Sequence, residues 1–191
     1  MEDVKRLHQS GLQVQAGFIV GFDNDTPATF PRLIEFIQDS GIITAIVGML
    51  QAPAGTVLHK KLEKDGRVLG HMGGDHTDGT TNIVPLMGIA ALREGYKTVL
   101  ETIYSPEYFY QRLRTFLRDY EPPPLASYFD PRNLIAVFRV FFHVGIIGEE
   151  RVLFWKLLGW TILRRGRNIP LAISLATYGY HFRKFFKHRI G

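Results

Sequence analysis

The stretch Leu12–Val20 is the feature that most constrains the fold. It is typical of a strand that ends on Gly21, and a helical pattern with Thr26 as its N-cap follows. A second apolar stretch, Ile42–Leu50, comes directly after that helix. Two strands joined by one helix form a βαβ unit, whose strands are parallel and whose crossover is right-handed. We therefore predict a parallel pair of strands, apolar enough to be covered on both faces.

The remainder of the chain predicts helices. A short helix follows the second strand, and the stretch Gly66–Pro85, with five glycines, is typical of a loop. Helical patterns then cover Leu86–Ile103, a segment beginning at Pro106, and residues 131–145, 149–165 and 169–187. The fold class is α/β, with a mostly α-helical C-terminal domain. The predicted domains are residues 1–65, 66–130 and 131–191.

The charge is distributed unevenly between the two ends of the chain. From Pro131 onward there are eleven Lys and Arg against two acids, whereas the preceding residues carry twelve basic and sixteen acidic side chains. The chain has no cysteine, which excludes disulfides, thiolate metal sites and cysteine nucleophiles. Met1 is followed by Glu2 and Asp3, so no secretory signal is visible and a cytoplasmic location is expected.

Three stretches resemble one known family. Gly17-Phe18-Ile19-Val20-Gly21 resembles the GxIxG pattern on the fifth barrel strand of radical S-adenosylmethionine enzymes. "QAPAGTVL" resembles the corner after the sixth strand of that barrel. The run "DGTTNIVPLM…LREGYKTVLETIYSPEYFYQRLRTFL" is similar to the C-terminal helical domain of the members that carry a cobalamin-binding-type domain. The resemblance implies that residues 1–65 are a partial (β/α) barrel fragment.

The same resemblance implies a nucleotide site at the carboxyl ends of the two strands. Ligands of such barrels approach these ends, and glycine lets the backbone come close to a flat adenine. The resemblance assigns Ile19 to the adenine, and it assigns backbone near Leu50 and Gln51 to another side of the nucleoside. Asn24 stands where the family commonly has glutamate. The implied cofactor-binding residues are Gly17, Ile19, Gly21, Asn24, Leu50 and Gln51.

The cysteine motif of the family is missing from this chain. Family members bind a [4Fe–4S] cluster through a CxxxCxxC loop after the first strand, and a full barrel needs about 200 residues or more. We therefore expect a C-terminal part of a larger iron–sulfur oxidoreductase or methyltransferase, catalytically incomplete alone. The parent protein would bind S-adenosylmethionine and the cluster, with cobalamin as a further candidate. Its N-terminal half-barrel is the expected partner, and the open strand edges predict self-association otherwise.

The glycine-rich loop holds a second group of polar residues: His71, Asp75, His76 and Asp78. Two histidines and two carboxylates could bind zinc, but the adjacent glycines give a flexible frame, and a polar loop is the favoured interpretation. A substrate-side role for Thr81 or Asn82 is an alternative to a structural one. The aromatic group Tyr104, Tyr108, Phe109, Tyr110 and Tyr120 favours a helix–helix core over a substrate-binding wall.

The C-terminal region predicts basic, apolar helices. Arg132, Arg139 and His143 fall on one helical stripe, and the following helices combine Trp and Phe with Arg and Lys. No charge-free stretch reaches the roughly 18 residues that a spanning helix needs. Such helices suit an anionic membrane surface or the missing domains, and nucleic-acid binding is not expected. The alternative function is a non-catalytic helical adaptor, peripheral on a membrane or bound to a partner protein.

Overall fold

The computed structural model describes residues 1–70, 79–123 and 141–190, with only the backbone for residues 141 and 184–190. The range 1–70 contains α1 (Glu2–Gln9), β1 (Gln15–Val20), α2 (Thr29–Ser40), β2 (Thr44–Met49) and α3 (Val57–Lys64). The ranges 79–123 and 141–190 contain α4 (Ile89–Ile103), α5 (Pro106–Asp119), a π-helix (Phe141–Ile147), α6 (Arg151–Arg164), a 3-10 turn (Gly166–Asn168) and α7 (Ile169–Ile190).

The two strands pair in parallel, which confirms the predicted βαβ unit. Their register places Gln15 opposite Thr44 and Val20 opposite Met49. The structure therefore has the predicted class: two parallel strands with a crossover helix, followed by a mostly helical domain. The edges of this pair remain the predicted site of self-association or of barrel completion.

The sheet is covered on one face. Val20, Ala45, Val47 and Met49 are all at most 3 % exposed and belong to the main hydrophobic core with residues of α2 and α4. On the opposite face Ile19 and Ile46 are 55 % and 50 % exposed. The expectation that the strands are covered on both faces is therefore wrong for the part of the chain that the structure describes. An apolar strand pattern indicates burial but does not identify the segment that covers each face.

One predicted helix start is also displaced. The helix expected after Thr26 begins at Thr29, with Ala28 as its N-cap. The backbone N–H of Thr26 donates instead to Thr29 Oγ1, at 3.1 Å. At α5, by contrast, the predicted start at Pro106 is confirmed, with Ser105 accepting a capping hydrogen bond from the Tyr108 N–H. The glycine-rich loop contains a short antiparallel bridge between Val68 and Ile83.

A buried cation joins the helices to the start of β2. The Arg112 side chain is fully buried and donates to Gln38 Oε1 at 2.6 Å and to the Ile103 carbonyl at 2.8 Å. Its burial lowers the pKa of Arg112 to about 10, so it remains charged at neutral pH. Nearby, the Tyr104 hydroxyl donates to the Ala45 carbonyl at 2.9 Å. These contacts fix α4 and α5 against the sheet.

One core spans all three predicted domains. It combines Val20 and Val47 of the strands with Leu100 of α4, Phe154 of α6 and Leu175 of α7. The domain boundaries at 65 and 130 remain predictions. Among the residues that the structure describes, no helix has both the length and the apolar content needed to cross a membrane.

Candidate functional site

The two strands end side by side, and their ends are linked beyond the regular ladder. The Leu50 N–H donates to the Val20 carbonyl at 2.8 Å, so the parallel pairing continues one residue past β2. Gly21 then turns the chain with a φ of +106°. A Cβ at this position would lie 2.9 Å from Leu92 Cδ2. Both the backbone conformation and the close approach of α4 therefore require glycine here.

The turn after β1 is closed by an aspartate. One carboxylate oxygen of Asp25 accepts hydrogen bonds from the N–H groups of Gly21 and Phe22, at 2.7 and 2.9 Å. The sequence comparison with the family pattern assigned the polar position to Asn24, which is exposed in this turn. Asp25 is thus the residue that shapes the loop, whereas the cofactor-binding role of Asn24 stays a prediction.

The residues of the glycine pattern lie on the open face of the sheet. Gly17 is exposed, and a Cβ built on it would meet no atom within 4 Å in the described structure. Ile19 lies opposite Gly48 in the register and is 55 % exposed. Because successive strand residues alternate between faces, Gly17 and Ile19 share this face. The result is a surface on which Gly17 lies between two exposed apolar side chains, Ile19 and Ile46.

The end of β2 is buried to a greater extent than the end of β1. Leu50 and Gln51 are 8 % and 7 % exposed. The Leu50 carbonyl accepts from Thr81 Oγ1 at 2.6 Å, so both backbone hydrogen-bonding groups of Leu50 have partners within the chain. Gln51 Nε2 donates to the Thr80 carbonyl at 3.3 Å. Within the described ranges Gln51 Oε1 is buried without a hydrogen-bond partner, so this oxygen could still accept a hydrogen bond.

The side-chain amide of Asn82 pairs with the backbone of Ala52, as the backbone of a neighbouring strand would. Its Oδ1 accepts from the Ala52 N–H at 2.8 Å and its Nδ2 donates to the Ala52 carbonyl at 2.9 Å. Both residues are buried. The side chains of Thr81 and Asn82 therefore hydrogen-bond to the backbone of residues 50 and 52. This favours a structural role for both residues over a substrate-side role.

An ion pair fixes the turn after β1 from the same loop. Arg67 donates to both carboxylate oxygens of Asp23, at 2.6 and 3.1 Å, and through Nε to the Val84 carbonyl at 2.8 Å. These charged hydrogen bonds hold the pKa of Asp23 below its usual range. Sequence reasoning missed this pair because residues 23 and 67 share no periodic or motif signal.

The other candidate residues are distributed as follows. His71, Asp75, His76 and Asp78 lie outside the described residues, as do Arg132 and Arg139. Across the residues that are described, no cluster of metal-binding side chains is present. Of the aromatic group, Tyr104, Phe109 and Tyr110 are buried in the core, as the favoured interpretation requires, whereas Tyr108 is 42 % exposed.

Comparison with known families identifies the region that supplies these contacts. Residues 56–190 match a domain of unknown function (DUF4070). The chain belongs to this family. The DUF4070 domain is the C-terminal domain of cobalamin-binding radical S-adenosylmethionine proteins, which confirms the resemblance seen in the sequence. Arg67, Thr81 and Asn82 lie within the DUF4070 match, whereas their partners at Asp23, Leu50 and Ala52 precede it.

Two curated proteins are similar over almost the whole chain. A hopanoid C-2 methylase of Rhodopseudomonas palustris is 29 % identical over 92 % of the chain and 34 % of its own length. An uncharacterized methyltransferase of Synechocystis is 27 % identical over 100 % of the chain and 37 % of its own length. In both, the match covers the C-terminal part, so the chain spans about a third of these relatives. No solved structure matches.

Proposed function

We propose that this chain is the C-terminal part of a radical S-adenosylmethionine methyltransferase and forms one wall of its S-adenosylmethionine site. The names of the two relatives support methyl transfer as the reaction class. The methyl acceptor would be bound by the complete parent protein. The stand-alone adaptor has only the basic helices in its favour, and these bear on docking rather than on reaction chemistry.

The observation that carries this proposal is the open, glycine-bearing face at the strand ends. In the part of the chain that the structure describes, a Cβ on Gly17 would meet no atom within 4 Å, and Gly48, which is buried, lies opposite Ile19. Small residues allow a flat ring to approach the backbone, and Ile19 offers an exposed apolar surface for it. The opposite face is covered by helices of the chain itself. The open face is thus the side on which the remaining strands of a barrel would enclose a ligand.

The residues present fit an S-adenosylmethionine nucleoside. Gly17 and Ile19 would hold its adenine. The buried Gln51 Oε1, which has no hydrogen-bond partner among the described residues, would accept from an amino or hydroxyl group after a side-chain rotation. Bound beside an iron–sulfur cluster, S-adenosylmethionine supplies radical chemistry. The cluster ligands would come from the N-terminal portion, since this chain has no cysteine. We assign no residue of this chain to cobalamin.

The DUF4070 domain would then have a positioning role at this wall. Arg67 holds the turn after β1, while Thr81 and Asn82 hold the segment after β2. All three contacts reach backbone or turn residues rather than the open face. They keep the two strand ends at a fixed separation, which preorganises the surface on which a nucleotide would lie.

The test is co-expression of the chain with the N-terminal portion of its parent, followed by anaerobic cluster reconstitution and S-adenosylmethionine binding by equilibrium dialysis. We expect binding by the assembled protein and a loss of about tenfold or more in affinity with Ile19→Glu, because a carboxylate would replace the apolar contact. Gln15→Glu is the matched control: it lies on the same exposed face, four residues before Ile19, and should change affinity less than about twofold. The proposal would be refuted if the assembled protein, with its cluster intact, did not bind S-adenosylmethionine.

A further inference from the structure

Helix α6 is apolar on both of its faces, yet among the residues that the structure describes only one face is packed. Phe154, Leu157 and Thr161 are at most 2 % exposed and contact the core. On the opposite side the helix presents what we term its outer face, formed by Val152, Trp155, Lys156, Ile162 and Leu163. Its apolar members are between 49 % and 84 % exposed. These positions recur at helical spacing, so they form one continuous stripe about three turns long.

The π-helix, which contacts α6 at Trp155, also exposes apolar side chains. Ile146 and Ile147 are 57 % and 60 % exposed, and the Trp155 indole N–H donates to the Gly145 carbonyl at 2.8 Å. That hydrogen bond holds the indole ring where the two elements meet. Exposed apolar surface of this extent, rimmed by polar groups, marks an interaction site in most proteins.

The charge around the outer face is predominantly positive, although Glu149 is exposed between Ile147 and Arg151, and Glu107 of α5 lines the same groove as Lys156. Residues 151–191 contain nine Lys and Arg and no acid. Arg151, Lys156 and Arg164 are exposed, and no ion pair engages them in the stretches with described side chains. By contrast, Arg165 pairs with Glu121 and Arg183 with Glu150. The cations near the stripe are thus available for an anionic partner.

We propose that the outer face of α6 docks on the surface of an anionic lipid bilayer. Val152, Ile162 and Leu163 would enter the headgroup–acyl boundary with Trp155, which suits the amphipathic indole. Lys156 and Arg164 would keep their charged ends at the level of the lipid phosphates while their stems lie along the apolar surface. Each cation close to such a surface adds electrostatic attraction that salt screens.

Two observations favour lipid over the rest of the parent protein as the occupant. Helix α6 packs on α5, which packs on α2 and α4 in turn, so α5 separates the outer face from the sheet that a barrel would complete. Protein interfaces are also depleted of lysine, whereas Lys156 stands within this face. A predominantly positive rim around exposed Trp and aliphatic side chains matches an anionic bilayer better. This inference does not depend on the proposed enzymatic function.

The experiment is co-sedimentation of the 191-residue chain with sucrose-loaded vesicles. Neutral phosphatidylcholine vesicles are compared with vesicles containing about 30 % phosphatidylglycerol, at low and high salt. We expect partitioning about tenfold stronger or more on anionic vesicles, decreasing with salt. Ile162→Ser with Leu163→Ser tests the apolar contribution, and Lys156→Glu with Arg164→Glu tests the charge. Because these side chains are exposed, circular dichroism should show unchanged folding, and each pair should weaken partitioning about tenfold.

Two matched controls separate this face from other exposed surface. Ile46→Ser removes an apolar side chain from the open sheet face, and Lys60→Glu with Lys64→Glu reverses two exposed charges on α3. Both should leave partitioning within about twofold of the unsubstituted chain. The proposal is overturned if the chain does not bind anionic vesicles, or if either control variant weakens vesicle binding as much as the α6 variants do. It is also overturned if the serine pair spares vesicle binding but blocks assembly with the N-terminal portion or a second copy.

Discussion

Replacing Asn82 by alanine tests the hydrogen bonds that hold the segment after β2. The change removes both bonds to Ala52, which is fully buried, so one N–H and one carbonyl lose their partners. A buried group left unsatisfied costs about 1–3 kcal/mol. Allowing for partial relaxation, we expect Asn82→Ala to lower the free energy of unfolding by about 2–5 kcal/mol. That is a large share of the roughly 5–15 kcal/mol typical of a domain.

The assay is urea unfolding followed by far-ultraviolet circular dichroism, with the midpoint and slope compared between variants. Thr98→Ala is the matched control, because its hydroxyl makes a single exposed bond to the Glu94 carbonyl within α4. It should cost less than about 0.5 kcal/mol. An Asn82→Ala variant within that margin of the unsubstituted protein would refute the reasoning, since water or a backbone shift would then satisfy Ala52 equally well.

Asn82→Asp gives the same test an independent pH readout. The acceptor toward the Ala52 N–H remains, but an ionised carboxylate cannot donate to the Ala52 carbonyl. Burial beside that carbonyl raises the folded-state pKa of the introduced carboxyl above its unfolded value of about 3.9. The deficit in stability should therefore be smallest below about pH 4 and should grow as pH rises through the folded-state pKa. A deficit independent of pH would contradict the assigned donor.

Three further outcomes follow from other buried contacts. Gly21→Ala should destabilise by about 2 kcal/mol in urea unfolding, because φ is +106° and the new methyl group would lie 2.9 Å from Leu92. Arg112→Leu should cost about 3 kcal/mol in the same assay, since Gln38 Oε1 and the Ile103 carbonyl lose their donor. Burial lowers the pKa of His8 from 6.5, an effect that Asp119 partly opposes. The stability linked to neutral His8 is therefore fully present above about pH 6.5 and is lost as pH falls below that value. In thermal melts between about pH 5 and 7.5, the melting temperature of the His8→Leu variant should lack this decrease at low pH.

Elements with a local signal were predictable from the sequence. Alternating and helical apolar patterns indicated β1, α2 and β2, and a strand–helix–strand order requires parallel pairing. Pro106 located the start of α5. The glycine pattern placed Gly17 and Ile19 on one strand, as observed, whereas their role at a nucleotide stays a prediction. These features depend on residues close together in the chain.

The features that were missed depend on side chains that bind a distant or irregular backbone. Asp25 closes the turn beside Asn24, and α2 begins three residues after Thr26. The bonds from Arg67 and Asn82 join residues 44 and 30 positions apart, and no periodic pattern reports such a contact. The uncovered sheet face was missed because apolar strand residues look the same whether this chain or another segment covers them.

The DUF4070 domain could not be exchanged between relatives as a separate module. The match begins at residue 56, but Asn82 hydrogen-bonds to Ala52 and Arg67 pairs with Asp23, both upstream of that point. A chimaera joined at residue 56 would combine strand ends from one protein with supporting side chains that evolved for another. A graft that keeps these pairs intact would need its junction before Gln15, so that the βαβ unit and the helices are transferred as one piece.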